Sequence, residues 1–321
     1  MDEKRLSIVV AALDTYKEVK NLMQYLERQT IRDQMEILIV CKTLGLLQPP
    51  VSVFENKVGV RIVEGGTDIL LNEARALGVR ECRSPYVAIL EDHCFPDPEW
   101  AYHICSRLEE GWTGVGSAIT LANPQTIVAQ AAILMGYGQW HPPINSGEVE
   151  YLPGHNSAFI RDVLLERGHR LESDLVMSSL MQSDLRMQGH RFFLEAGAVM
   201  YHWDSSTWRG AVAIFIPIGR ALAAMRSREW GFAKRLLYGF ATPLIAGVRW
   251  FRSLVAYLRA RKAYSFSKVT PFAAFLIGII WSFGEFLGFW FGFGNSLGDV
   301  SDAERNRPRF LRPGEWPDPK L

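Results

Sequence analysis

Four short apolar runs constrain this chain more than anything else in it. Residues 6–13 read LSIVVAAL, 36–40 read EILIV, 60–63 read VRIV and 86–90 read YVAIL. LSIVVAAL, a continuous apolar run rich in β-branched residues, suits a strand buried on both faces of a sheet; EILIV and VRIV read as further strands and YVAIL as another buried one. Between the first two, Val19, Leu22, Met23 and Leu26 recur at helical spacing, and 72–79 reads as a second helix. Strand and helix in alternation predict an α/β fold with a mostly parallel sheet and crossover helices. Ligands of such sheets lie beyond the carboxyl ends of the strands, so residues 14, 41–43 and 91–93 are expected along one crevice.

Charge separates the front of the chain from its rear. The 321 residues carry a net +1, which argues against a nucleic-acid binder. That balance hides an uneven spread. Residues 1–202 hold 18 basic and 26 acidic side chains, whereas 203–268 hold 12 and 2. The sequence therefore predicts a catalytic-type domain over 1–208 and a basic amphipathic helical region over 209–268, suited to an anionic membrane surface. Residues 269–294 contain one charge, Glu285, and are long enough for the ~20 residues a spanning helix needs. Gly284, Gly288 and Gly292 permit close helix packing. Basic clusters on both flanks favour a re-entrant or interfacial hairpin, broken near Gly284, over a single span. A polar, extended tail is expected over 295–321. Cys41, Cys82, Cys94 and Cys105 show no CxxC spacing and read as free thiols. The apolar run at 6–13 is too short, and its flank too acidic, for a signal peptide, so the bulk of the chain is expected in the cytoplasm.

The chemistry concentrates at strand ends. The string YVAILEDHCFPDPEW, residues 86–100, ends a buried strand on Glu91, Asp92 and His93. Carboxylate and imidazole together suit a divalent cation that carries substrate phosphates, and Mn²⁺ tolerates the nitrogen ligand. YLPGHNSAFIR at 151–161 puts Gly154, His155 and Asn156 in a tight loop before another apolar run. GHRFFLEAGAVMYH at 189–202 reads as a strand ending on His202, a further candidate ligand.

In order and spacing, these strings make residues 5–204 resemble a family 2 glycosyltransferase of the GT-A fold, in the subgroup with a hydrophobic C-terminal extension. LSIVVAALD corresponds to the family's first strand and nucleotide-binding turn, which implies donor contacts from Ala11, Leu13 and Asp14, and from Asn72 beyond it. LEDHCFPDPEW corresponds to the DxD strand and its Pro…Trp turn, so Glu91 and His93 take the two acidic places and Asp92 serves the ribose or supports a ligand. PGHNSAF corresponds to the acceptor-side segment, implying Gly154, His155 and Asn156 there. His202 takes the place of the metal-binding histidine. The implied metal set is Glu91, His93 and His202, holding Mn²⁺ or Mg²⁺.

The chain also departs from the family. Ala11, Ala12, Leu13 and Asp14 stand where Pro-Thr-Tyr-Asn is usual, and Cys41 and Lys42 where an Asp reads the base. The family's catalytic Asp falls on Met177 or Ser178, some eleven residues before Gly189. Asp174 or Glu172 serves as base if the segment shifts by a turn. His155 is a third candidate, and binding without turnover a fourth reading. Ser178 and Ser179 also suit a helix cap. The implied partners are a nucleotide-sugar donor, a glycan or polyprenyl-linked acceptor and membrane lipid, at the cytoplasmic face of the cell membrane.

Overall fold

The computed structural model describes residues 4–13, 19–45, 59–312 and 315. Its contacts divide the chain into two units, Met1–Ile119 with Ile144–Tyr201, and Thr120–Pro143 with His202–Leu321.

The strands are β1 (Leu6–Ala11), β2 (Met35–Cys41), β3 (Val60–Glu64), β4 (Tyr86–Leu90), β5 (Cys94–Pro96), β6 (Gly114–Leu121), β7 (Gly147–Val149), β8 (Ser157–Ile160) and β9 (Phe192–His202). They form one sheet in the order β3-β2-β1-β4-β8-β6-β9-β5, with β7 paired to β9. All four apolar runs became strands, and these four pair in parallel. β8 then lies antiparallel to β4 and β6. The register sets Val10 opposite Leu90, and Ala11 opposite Val40, so the carboxyl ends of β1, β2 and β4 share one edge.

Helices Val19–Leu26 and Leu71–Glu81 form where the periodicity predicts them. The first buries Val19, Leu22, Met23 and Leu26, as their spacing requires. Gly78 of the second lies so close to β1 that a Cβ there would run into Val9. All four cysteines are buried free thiols, and burial pushes Cys82 and Cys105 up to about 12, well away from reactivity.

The second unit is helical. Helix Ile127–Tyr137, apolar but for Gln130, packs Val128, Ala131 and Met135 against Ala211 and Phe215 of helix Trp208–Arg226 and Ala274 and Ile277 of helix Thr270–Phe291. That burial draws 120–143 into this unit, although they lie within the 1–208 domain expected from sequence. Helices Phe232–Phe240 and Thr242–Ala260 complete the basic segment. By length and composition, Trp208–Arg226 and Thr270–Phe291 each suffice to cross a membrane, and about half of each is buried inside the protein.

Two expectations for the rear are corrected. The hairpin does not form, because Thr270–Phe291 is one unbroken helix. Its glycines serve packing instead: a Cβ at Gly284 would meet the Ile216 carbonyl, and one at Gly288 the Arg220 carbonyl. The one charge in this stretch is partnered, since both Glu285 carboxylate oxygens accept from Arg249, at 3.1 and 2.7 Å. The tail is not extended throughout. Ser296–Arg305 is a helix, and Arg307 in the following turn donates to the Trp203 carbonyl.

The glycine reading gives a direct test. Gly284→Ala is expected to lower the unfolding free energy of the detergent-solubilised protein by about 1–3 kcal/mol, through overpacking against backbone. Gly247→Ala, on the neighbouring helix where a Cβ meets nothing, is expected to leave stability unchanged or raise it. Equal effects at the two positions in thermal melts would remove the close-packing role.

Candidate metal centre and active site

β4 ends at Leu90, and the next three residues carry the chemistry. Glu91 is gripped at both ends by Asn156. Its backbone N–H donates to Asn156 Oδ1 at 3.1 Å, and its Oε2 accepts from Asn156 Nδ2 at 2.7 Å. Asn156 manages this by adopting φ 69°, a left-handed conformation that Asn tolerates better than most residues. A buried chain secures it. Trp100 Nε1 donates to Ser117 Oγ at 2.7 Å, and Ser117 Oγ donates to the Asn156 carbonyl at 3.1 Å. Asn156 is fully buried, so its carboxamide orients Glu91 from behind.

Both histidines are held through Nδ1 by a carboxylate. His93 Nδ1 lies 2.9 Å from Asp92 Oδ1, and His202 Nδ1 lies 3.1 Å from Asp204 Oδ2. Each ring is thereby oriented with Nε2 turned away from its carboxylate. This is the support that metal-binding imidazoles ordinarily receive. Glu91, His93 and His202, all buried, bring one ligand atom each to within 4.8 Å of one another. One carboxylate oxygen and two imidazole nitrogens form a coherent donor set for a divalent ion. Residues more than a hundred positions apart are united because β4 and β9 belong to the same sheet.

His155 borders this cluster, with Nδ1 3.6 Å from Glu91 Oε1. Its Nε2 has two neighbours, the Leu175 carbonyl at 3.0 Å and Arg75 Nη1 at 2.9 Å. They make opposite demands, because a carbonyl needs a proton on Nε2 and a guanidinium needs a lone pair. The carboxylates of Asp174 and Glu172 are both engaged. Asp174 Oδ2 accepts from buried Arg167 at 2.6 Å, and Glu172 pairs with Arg80 at 2.6 Å. The hydrogen bond from Arg80 holds the Glu172 carboxyl below the usual carboxylate range, which weakens it as a proton acceptor. Ser178 begins helix Ser178–Met187 but does not cap it, since Met177 is the cap residue. Gly154 packs so tightly on Ser178 that a Cβ would collide with its hydroxyl.

On the donor side, Ala11 and Leu13 lie at the shared strand edge, where the Lys42 N–H donates to the Leu13 carbonyl at 3.0 Å. Asp14 lies outside the described residues. The Asn72 side chain donates to the Glu172 carbonyl at 2.9 Å. Three participants had escaped the sequence reading. Asp204 left a faint signal, two residues beyond His202. Arg75 and Ser117 left none, being ordinary residues within a helix and a strand.

The family model for glycosyl transferase family 2 matches residues 7–168, half of the chain. The chain belongs to glycosyl transferase family 2. The matched stretch of this family 2 member includes Glu91, His93, His155 and Asn156, and stops before Glu172, Asp174 and His202. Membership makes the protein a glycosyltransferase of the kind that uses nucleotide-sugar donors, and the mixed α/β sheet agrees with the GT-A fold. No curated protein matches the chain.

Proposed function

We propose that the protein is a metal-dependent, inverting transferase that moves a sugar from a nucleotide-sugar donor to a glycan or lipid-linked acceptor at the cytoplasmic membrane face. The convergence of Glu91, His93 and His202 carries this reading. A divalent cation held by them would bind the donor's diphosphate and offset the charge that grows there as the sugar leaves. Two imidazoles in the set favour Mn²⁺ over Mg²⁺, which prefers oxygen ligands and retains its waters. Asp92 and Asp204 fix the two rings, and Asn156 fixes the carboxylate, so the set is organised before substrate arrives.

Inversion requires the acceptor hydroxyl to attack opposite the leaving group and give up its proton. We assign that proton to His155, because Asp174 and Glu172 are each tied to an arginine. In the tautomer that carries its proton on Nε2, which satisfies the Leu175 carbonyl and not Arg75, the Nδ1 lone pair faces the Glu91 side and can take the proton there. Cys41, buried at the end of β2, offers no carboxylate to read a base, so the donor is not confined to uridine nucleotides.

A panel of uridine, guanosine, cytidine and thymidine diphosphate sugars, screened by thermal shift with and without Mn²⁺, tests the reading. One donor class is expected to raise Tm only when Mn²⁺ is present, and a polyprenyl-linked acceptor to accelerate donor consumption. No shift with any donor would remove the transferase assignment. Mn²⁺-dependent binding without turnover would turn it into a nucleotide-sugar-binding scaffold or sensor.

A further inference from the structure

The long helices of the second unit display an apolar face that the described residues leave uncovered. On helix Thr242–Ala260, Leu244, Val248, Phe251, Val255 and Leu258 are all exposed, Leu244 at 75% and Phe251 at 60%. Their spacing of four, three, four and three residues puts them on one stripe. Helix Thr270–Phe291 packs beside it and exposes Phe272, Phe275, Ile279 and Phe283 at the same rhythm. Soluble monomers rarely leave so much contiguous apolar surface bare. Exposed cations accompany it, among them Arg252, Arg261 and Lys262.

We propose that this face seats the second unit in one leaflet of an anionic membrane, with helices Thr242–Ala260 and Thr270–Phe291 lying in its plane and neither crossing it. The proposal rests on the membrane-facing part of the reading above, and not on the transfer chemistry.

The contacts between the two helices argue for the plane. Trp250 Nε1 donates to the Pro271 carbonyl, and adjacent Arg249 reaches Glu285. These contacts bracket about 21 Å of helix Thr270–Phe291, at 1.5 Å per residue. Residues 249–252 therefore lie alongside its interior. Were that helix to span, exposed Arg252 would face the acyl core, where a charge is costly. In the plane, Arg252 and its neighbours lift their guanidinium and ammonium groups to the headgroups, while the Phe, Val and Leu side chains enter the acyl boundary. Charge also selects the occupant. The segment 203–268 carries 12 basic and 2 acidic residues, which suits anionic lipid and would set cation against cation in a two-fold contact with a second copy.

Two measurements on the full-length protein test this. Ala263→Cys and Asp302→Cys lie before and after helix Thr270–Phe291, both exposed, and the native cysteines are all buried. In sealed membrane vesicles, a membrane-impermeant maleimide is expected to label both from the same side. Labelling from opposite sides would show that the helix crosses and would overturn the proposal. In flotation, the protein is expected to prefer vesicles of phosphatidylcholine mixed equally with phosphatidylglycerol over phosphatidylcholine alone. Joint Arg252→Glu and Lys262→Glu substitution is expected to lower partition onto the anionic vesicles about 30-fold or more and to change neutral binding little. Equal partition of the parent protein onto both compositions would overturn the anionic preference. Failure to float, with a dimer in sedimentation, would assign the face to a second copy instead. Mn²⁺-dependent donor binding is measured without vesicles, so either failure leaves the transferase reading intact.

Discussion

Replacing His93 by alanine is expected to lower turnover roughly 10²–10³-fold and to abolish its sensitivity to EDTA. The set it belongs to has three donors within 4.8 Å, and removing one leaves a carboxylate and a single imidazole. A divalent ion held by these residues would supply several kcal/mol of charge stabilisation to a departing diphosphate. At 1.36 kcal/mol per tenfold, losing about 3–4 kcal/mol of that gives the stated range. Two milder variants sharpen the test. Asp204→Asn disturbs the orientation of His202, and Asn156→Ala releases Glu91, so each is expected to weaken Mn²⁺ binding about 10–100-fold. Calorimetric titration of Mn²⁺, without donor, reads all three. If His93→Ala bound Mn²⁺ and turned over like the parent, the shared centre would be lost as an explanation, whatever the fate of the other two variants.

The second large effect separates a proton acceptor from a structural ion pair. His155→Gln is expected to lower kcat by about 10²–10⁴-fold while Mn²⁺ and donor binding persist. Asp174→Asn is expected to behave differently. It leaves the Arg167 guanidinium buried with its best partner neutralised, and breaking a buried pair costs about 3–5 kcal/mol. The variant should therefore melt earlier, with kcat of the folded fraction little changed. Arg167 also reaches Asp184 at 3.0 Å, which sets the loss at the lower end of that range. The opposite pattern, a stable Asp174→Asn protein with collapsed kcat, would move the base to Asp174 and make His155 a positioning residue.

Much of the first unit was legible because burial on both faces leaves so direct a trace. LSIVVAAL, EILIV and YVAIL became interior strands that are buried almost throughout, whereas VRIV, half-exposed, forms the edge of the sheet beside β2. The rear was less legible. Basic clusters on both flanks suit a hairpin as well as a helix lying along the surface, and the partner that lets Glu285 sit inside one continuous helix, Arg249, is 36 residues away. Gly284 and Gly288 look equally suited to a kink and to a close helix crossing, and only the position of Ile216 and Arg220 decides between them. Helix Ile127–Tyr137 carried little mark of belonging with the rear helices, because a mostly apolar helix suits any core and the partners of its Gln130, Ser267 and Thr270, lie some 140 residues on.

By itself the sequence pointed to the α/β fold through its apolar runs, to the family through the order of its motifs, and to Glu91, His93 and His202 as candidate metal ligands through residue type at strand ends. Only the tertiary structure decided how these residues are held and which neighbours are occupied. Asn156, read from sequence as an acceptor-side residue, is fully buried with its carboxamide oxygen and nitrogen both on Glu91. Asp174 looked like a spare carboxylate and is paired with Arg167. Asp204 went unremarked and orients His202. The physical reason is the same in each case. A side chain's type limits what it can do, but hydrogen-bond partners brought from distant segments determine its direction and what remains of its bonding capacity.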